Sequence, residues 1–167
     1  MDKKKKKAHP FQSSDQLEMR QGWRTDPAIF AKLHKIFRFT IDACATKENA
    51  LLPRYWTKEM DAALQDWRDE RAFCNPPFAR AIVERIMPRA PEAELTVMVL
   101  KLNSLTTRYF HKTPSTYLLL PPRRLEFLPP PGLKRKKGNL AFGTCLLVWG
   151  RITKKQRKQL EQDWLIF

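Results

Sequence analysis

The sequence predicts an α/β fold in which helices flank a mainly parallel sheet. Short apolar segments typical of strands alternate with segments of helical periodicity, which is the pattern of layered α/β proteins. Residues 95–100 form one continuous apolar run, as expected of a strand buried on both faces of a parallel sheet. Two predicted strands end at Asp42 and Asn75. Because ligands of such sheets bind at the carboxyl ends of the strands, these residues mark the expected site.

The first predicted element is a helix that opens at Pro27, a residue suited to the first helical position. Thr25 or Asp26 can cap it. Its apolar residues recur at helical spacing and predict a core-facing stripe made of Ile29, Phe30, Leu33, Ile36 and Phe37. A short strand over residues 39–41 then leads to Asp42.

A second short strand at residues 72–74 is closed by prolines, and a helix follows at residues 80–87. The next elements are the apolar strand at 95–100 and a short helix at 105–112. The last predicted elements are strands at 117–120, 125–128 and 140–149 and a polar helix at 153–164.

Length and charge indicate one domain with a polyanionic partner. The 167 residues divide into a basic arm, 1–20, and a single folded domain, 21–167. The net charge of +15 exceeds what solubility requires and favours nucleic acid. A membrane is not expected as partner, because no apolar run reaches about 18 residues. The basic start of the chain lacks the apolar stretch of a signal peptide.

The three cysteines, Cys44, Cys74 and Cys145, are far apart in the sequence and form no CxxC pair. This spacing argues against a disulfide framework and against a zinc site, so no metal is expected. Free thiols are typical of a reducing compartment, and the sequence therefore predicts a cytoplasmic location.

The tetrapeptide Asn75-Pro76-Pro77-Phe78 is the strongest candidate for chemistry. Its prolines fix φ near about −65° and remove two backbone donors, which leaves carbonyl acceptors without competing N–H groups. The Asn75 amide adds an acceptor, and Phe78 adds a ring that can stack on a planar amine. Ordinary turn formation after a strand is the alternative interpretation.

These motifs together resemble the phage-type DNA N6-adenine methyltransferases, a compact branch of the S-adenosylmethionine-dependent methyltransferases. The similarity runs from about Trp23 to Trp149. It rests on an ordered series of motifs: Trp23-x-Thr25-x-Pro27, Phe39-Thr-Ile-Asp42-Ala-Cys-Ala45, Asn49, Asp61, Asp66-Trp67, Phe73-x-Asn75-Pro-Pro-Phe78, Tyr109-Phe-His111 and Arg124-Leu-x-Phe127.

The resemblance implies a Rossmann-like methyltransferase fold, S-adenosylmethionine as cofactor and DNA as partner. It implies that Asn75 and the Pro76 carbonyl bind the adenine amino group and that Pro77 stiffens the turn. Phe78 would stack on the base after its extrusion from the helix. The implied cofactor residues are Thr25, Asp42, Ala43, Cys44, Ala45, Asn49 and one of Asp61 and Asp66. A bacteriophage or restriction-modification setting is expected, and we expect a monomer.

Basic residues near the predicted site edge and in the later loops are expected to contact DNA phosphates. They are Arg80, Lys101, Arg108, Arg123, Arg124, Lys134, Arg135, Lys136 and Lys137. Three alternatives stay open from the sequence. The target could be cytosine N4 or an RNA adenine, since the same acceptors serve any exocyclic amine. Alternatively, because Ala62-Ala63 replaces the Gly-Leu pair frequent in the family, the chain could be a non-catalytic nucleic-acid-binding protein.

Overall fold

A computed structural model describes residues 22–129 and 142–167 of the chain. The predicted arm, residues 1–20, and the basic loop at 134–137 lie outside the described residues. The described strands are, in chain order, β1 (Arg24–Thr25), β2 (Ile41–Asp42), β3 (Arg71–Cys74), β4 (Leu95–Lys101), β5 (Tyr117–Leu120), β6 (Phe127–Leu128), β7 (Thr144–Gly150) and β8 (Leu165–Ile166). The described α-helices are α1 (Pro27–Phe37), α2 (Arg80–Ile86), α3 (Arg108–Lys112) and α4 (Lys154–Leu160).

The main sheet has six described strands in the order β2-β3-β4-β7-β5-β8. The pairs β2–β3 and β3–β4 are parallel, whereas β4–β7, β7–β5 and β5–β8 are antiparallel. The predicted α/β class is confirmed, but the prediction of a mostly parallel sheet is wrong, because antiparallel pairs outnumber parallel ones. An apolar run reports that both faces of a strand are buried and does not report the direction of its neighbours.

Helices cover both faces of this sheet, which explains the apolar runs in its centre. Along β4, Met98 and Leu100 pack in the core cluster on the α2 side, and Val97 and Val99 pack in the cluster on the side of α1 and α4. The strand β7 alternates in the same way. The four β4 side chains are at most 1% exposed and those of β7 from Thr144 to Trp149 at most 3%, so the centre of the sheet has no solvent-facing side.

Local capping chemistry sets the helix ends. The Asp26 side chain accepts the Ala28 N–H at the start of α1, and Pro27 occupies the first helical position. At α4, Thr153 and Gln156 form a reciprocal capping box. The predicted helix at 105–112 is divided into a 3₁₀ turn, Leu102–Thr106, and α3, because Thr107 caps a new helix by accepting the Phe110 N–H.

The two-residue strands β1 and β8 were not predicted. They form an antiparallel pair with β6 and with β5, respectively. The short pairing of β1 with β6 holds the chain next to Trp23 across the sheet edge where β2, β3 and β4 end. These three strands end at Asp42, Cys74 and Lys101.

Candidate active site

The turn after β2 is held against the end of β3. Ala43 N–H donates to the Phe73 carbonyl at 2.7 Å, and Ala45 N–H donates to the Trp56 carbonyl at 3.0 Å. On the other side of β2, Tyr55 forms a parallel bridge with Asp42. The small side chains of residues 43–45 therefore lie in a turn whose backbone is fixed from both sides.

Asp42 is a carboxylic acid in an almost fully buried position, with only 3% of its surface exposed. Its Oδ2 accepts the Leu51 N–H at 3.1 Å. Burial raises the pKa of Asp42 from 3.8 to about 6, although the N–H groups of Leu51 and Cys44 partly oppose that rise. Asp42 therefore changes charge in a pH range where ordinary aspartates are already ionised.

Asn75 directly follows β3, and its side chain is tied to a distant part of the backbone. Its Nδ2 donates to the Trp23 carbonyl at 3.2 Å. That bond uses the donor end of the amide, and no described residue donates to Oδ1. The half-buried amide thus has an acceptor that no described residue engages, beside a buried Pro76 and a half-buried Pro77.

The two turns are in direct contact through their cysteines. Cys44 Sγ lies 3.5 Å from Cys74 Sγ, and both residues are free thiols, as is Cys145. Burial, followed by the hydrogen bond with Cys44, raises the pKa of Cys74 well above that of an ordinary thiol. Because Cys74 immediately precedes Asn75, this contact brings the Asp42 turn next to the Asn75-Pro76-Pro77-Phe78 turn.

The Phe78 ring is part of an aromatic group at the same edge of the sheet. Its centroid lies 6.3 Å from that of Phe127 and 5.7 Å from that of Phe142, and both pairs are T-shaped. The ammonium of Lys101 lies over the Phe78 ring, 5.6 Å from its centroid.

The other predicted cofactor residues are distributed more widely. Thr25 is buried in β1 and lines a small apolar cavity, and its hydroxyl has no hydrogen-bond partner among the described residues. Asn49 Oδ1 accepts the Thr46 N–H at 2.7 Å, so this side chain closes the turn that follows Ala45.

Asp61 and Asp66, which the sequence could not distinguish, lie in different surroundings. Asp61 is partly buried, caps a 3₁₀ turn by accepting the Ala63 N–H at 3.1 Å, and forms an ion pair with Arg85. Asp66 is exposed and forms an ion pair with Arg68, which lowers the pKa of Asp66 to about 2. Asp66 also shares a surface cavity of about 540 Å³ with residues that directly precede β3 and β4, at the opposite edge of the sheet from Asn75.

The described basic residues predicted to bind DNA are mostly exposed. Arg108, Arg123 and Arg124 are exposed, Arg80 forms an ion pair with Glu84 at 2.9 Å, and Lys101 is half-buried. Within residues 22–129 and 142–167, no group of three or more His, Cys, Asp or Glu side chains is arranged to hold a metal ion. No helix in the described part of the chain has the length and apolar character needed to cross a bilayer.

Two residues at the sheet edge that carries Asn75 and Phe78 were not predicted from the sequence. Trp23 acts through its backbone carbonyl, which no side-chain pattern reveals. Phe142 lies next to Phe78 although 63 intervening positions separate them in the chain. A signal for it did exist, since Phe142 comes just before β7, whose start lies beside the end of β4.

Comparison with known proteins identifies the family to which these motifs correspond. Residues 12–163 match a family model described as DNA N-6-adenine-methyltransferase (Dam). The matched region contains both turns of the candidate site and nearly the whole chain. No curated protein matches the chain.

Proposed function

Because this chain belongs to the DNA N-6-adenine-methyltransferase (Dam) family, and is therefore a DNA adenine-N6 methyltransferase, we propose that its chemistry takes place at the edge formed by Asp42 and Asn75. The methyl donor in this proposal is S-adenosylmethionine, the usual cofactor of the family. The observation that carries the proposal is the bond from Asn75 Nδ2 to the Trp23 carbonyl, because it leaves Oδ1 free to accept from an amine.

In this proposal Asn75 Oδ1 and the Pro76 carbonyl accept the two N–H groups of the adenine amine. These bonds turn the nitrogen lone pair out of conjugation with the ring and aim it along the line of attack. The acceptors are fixed before the base arrives, so little reorganisation accompanies the reaction. Phe78 stacks on the base, which must leave the helix to reach the turn. The N6 lone pair would form the bond to the methyl carbon as the bond from that carbon to the sulfonium sulfur breaks, which leaves a neutral thioether. One proton then leaves N6 for solvent.

S-adenosylmethionine supplies an electrophilic methyl group on a cationic sulfonium. The residues of the Asp42 turn fit such a group in chemistry: a buried carboxylate stands beside the small side chains of Ala43, Cys44 and Ala45, which permit close approach of a ligand. The Thr25 hydroxyl, which is buried and has no partner within residues 22–129 and 142–167, is a candidate for a further polar contact.

For the remaining cofactor contacts we favour Asp61 over Asp66. Asp66 is exposed and forms an ion pair with Arg68. It lies with residues that directly precede β3 and β4, at the opposite edge of the sheet from Asn75, so a ligand in contact with Asn75 would not reach it. Asn49 is assigned an indirect role, because its side chain holds the turn after Ala45.

DNA binding in this proposal depends on cations near the same edge, with the half-buried Lys101 and the exposed Arg108, Arg123 and Arg124 contacting phosphates. Arg80, which is exposed at the start of α2, would join them if its ion pair with Glu84 opens. The loop at 134–137 stays a prediction, as do the bacteriophage and restriction-modification setting, the cytoplasmic location and the monomeric state.

The test of the site is Asn75→Ala, measured by nucleoside mass spectrometry of DNA from cells that express the chain. We expect N6-methyladenine with the unaltered chain and none with the variant, while calorimetry shows little change in affinity for S-adenosylmethionine. The matched control is Asn103→Ala, which removes an exposed amide beyond the end of β4. Unaltered methylation by Asn75→Ala would refute the role assigned to this amide.

A further inference from the structure

We propose that Lys101, Phe78 and Phe142 form a slot for the target base that the Lys101 ammonium occupies until adenine enters. This inference rests on the proposed function, because it takes Phe78 as the ring on which the base stacks. It adds two residues to the site. Phe142 forms a second wall of the slot, and the Lys101 ammonium leaves the ring face and binds a DNA phosphate when the base enters.

The contacts of the ammonium carry the first step. Lys101 Nζ lies 4.5 Å from the centroid of Phe142 and 5.6 Å from that of Phe78, within the range of cation–π attraction for both rings. Among the described residues Lys101 forms no ion pair, although other basic side chains of this part of the chain do. Within the described residues, the ammonium of Lys101 therefore contacts the two aromatic rings and no carboxylate.

The backbone holds the two sides of the slot together. Lys101 is the last residue of β4 and pairs with Thr144, the first residue of β7, while Leu102 N–H donates to the Gly143 carbonyl at 2.9 Å. The approach is close, since a Cβ on Gly143 would come within 2.6 Å of Leu102 Cδ1. Phe142 is thus held beside the Lys101 segment by strand pairing.

The ammonium and a stacked base would compete for the same face of the Phe78 ring. Phe78 and Phe142 stand at 84° to each other with centroids 5.7 Å apart, so a planar base stacked on one ring meets the other ring at an angle. A base on the face of Phe78 would take the place where the ammonium now lies. An extruded nucleotide also brings its phosphate to the mouth of the slot, and the displaced ammonium has its strongest available partner there.

Two duplexes that differ only at the target position distinguish this exchange from simple attraction to DNA. Sequencing that detects N6-methyladenine in DNA from cells that express the chain identifies a methylated sequence, and the first duplex has this sequence. The second duplex carries an abasic site in place of the target adenine. Both present the same phosphates, whereas only the first presents a base for the slot. The readout is the ¹H–¹³C signal of the Lys101 ε-methylene, assigned by its loss in Lys101→Arg.

We expect this signal to be shifted upfield by the rings in the free protein and to return to an ordinary lysine position when the adenine duplex binds. With the abasic duplex it should stay upfield. An ordinary position in the free protein, no change with adenine, or an equal change with both duplexes would overturn the inference. Methyl transfer is read separately by mass spectrometry, so a chain that methylates adenine with Lys101 still on the rings overturns this inference alone.

Kinetics supply a second readout. Lys101→Met should raise KM for DNA by about three- to tenfold and reduce the salt slope of binding by about one, because one phosphate contact is lost. Lys101→Arg, which keeps the charge, should restore both. The matched control is Lys35→Met, which removes an exposed lysine near the far end of α1 and should change neither.

Phe142→Leu keeps an apolar side chain and removes the ring. We expect a smaller upfield shift of the Lys101 signal and a higher KM for DNA, with unchanged affinity for S-adenosylmethionine. A normal KM together with a full upfield shift would exclude Phe142 from the slot.

Discussion

At Asn75, a backbone carbonyl engages the donor end of the side-chain amide, and the proposed function uses the other end. Asparagine carries a donor and an acceptor, and a site that must bind an amine needs the acceptor. The Trp23 carbonyl takes the donor and thereby selects the orientation. The pairing of β1 with β6 holds this part of the chain in place, so a two-residue strand helps to orient a side chain far away in sequence.

Asp42 provides a prediction on pH. Its pKa is raised to about 6 by burial, so the carboxylate predominates above pH 6 and the neutral acid below it. A cationic cofactor favours the carboxylate, and its affinity should therefore fall as the pH falls through 6. At pH 5 only about one tenth of an acid with a pKa of 6 is ionised, so calorimetry should show about tenfold weaker binding of S-adenosylmethionine than at pH 7.5.

The control for this pH effect is Asp42→Asn, which cannot ionise. Its affinity for S-adenosylmethionine should be weak at both pH values and change little between them. If the variant shows the same fall in affinity as the unaltered chain, another group is responsible for the titration.

Among the elements, the pairing of β4 with β7 supports the site most directly. It runs from Leu95 opposite Gly150 to Lys101 opposite Thr144. A glycine stands at or next to each end of β7. Gly143 permits the close approach beside the slot, and Gly150 permits a turn with φ of 100°. The two glycines differ in what an added Cβ would meet.

Gly150→Ala should destabilise the protein strongly. The added Cβ would come within 2.5 Å of the Glu94 carbonyl oxygen, and alanine is strained at this positive φ. We expect a loss of about 1–3 kcal/mol in the free energy of unfolding, measured by urea denaturation. Gly143→Ala is the comparison, because it meets the end of the flexible Leu102 side chain and should cost less. Equal losses would show that the backbone contact is not decisive.

For the whole molecule, the charge of +15 makes association with DNA depend on salt. The described cations near the Asn75 edge account for only part of this charge, and the lysine run at residues 3–7 adds five more positive charges. Long-range attraction therefore acts on the DNA before any base is selected. In the proposed function, the neutral acceptors and rings at the edge of the sheet then place the adenine.

Deleting residues 1–10 should weaken DNA binding at low salt and have little effect at high salt. The five lysines can neutralise at most about five phosphates, so the salt slope should decrease by up to about four. Fluorescence anisotropy with labelled duplex at several salt concentrations measures both quantities. Equal slopes with and without the segment would exclude a role for it in phosphate binding.

By itself the sequence determined the local elements and indicated the family. The stripe from Ile29 to Phe37 predicted α1, the apolar run predicted β4, and the prolines after Cys74 predicted the end of β3. The amine-binding role of the Asn75 turn stays a prediction. The family match agrees with the methyltransferase resemblance that these motifs indicated. Such features are readable because helical periodicity, apolar runs and proline turns depend on residues close together in the chain.

Only the tertiary structure decided which distant groups meet. Three contacts join segments that are separated by dozens of residues. They are the antiparallel pairing of β7 with β4, the hydrogen bond of Asn75 with the Trp23 carbonyl, and the contact of Phe142 with Phe78. The tertiary structure also decided the surroundings of Asp61 and Asp66. Only four residues lie between these aspartates, but they form ion pairs with different arginines. Burial patterns indicate that a residue is covered, whereas the partner that covers it is selected by packing of the whole chain.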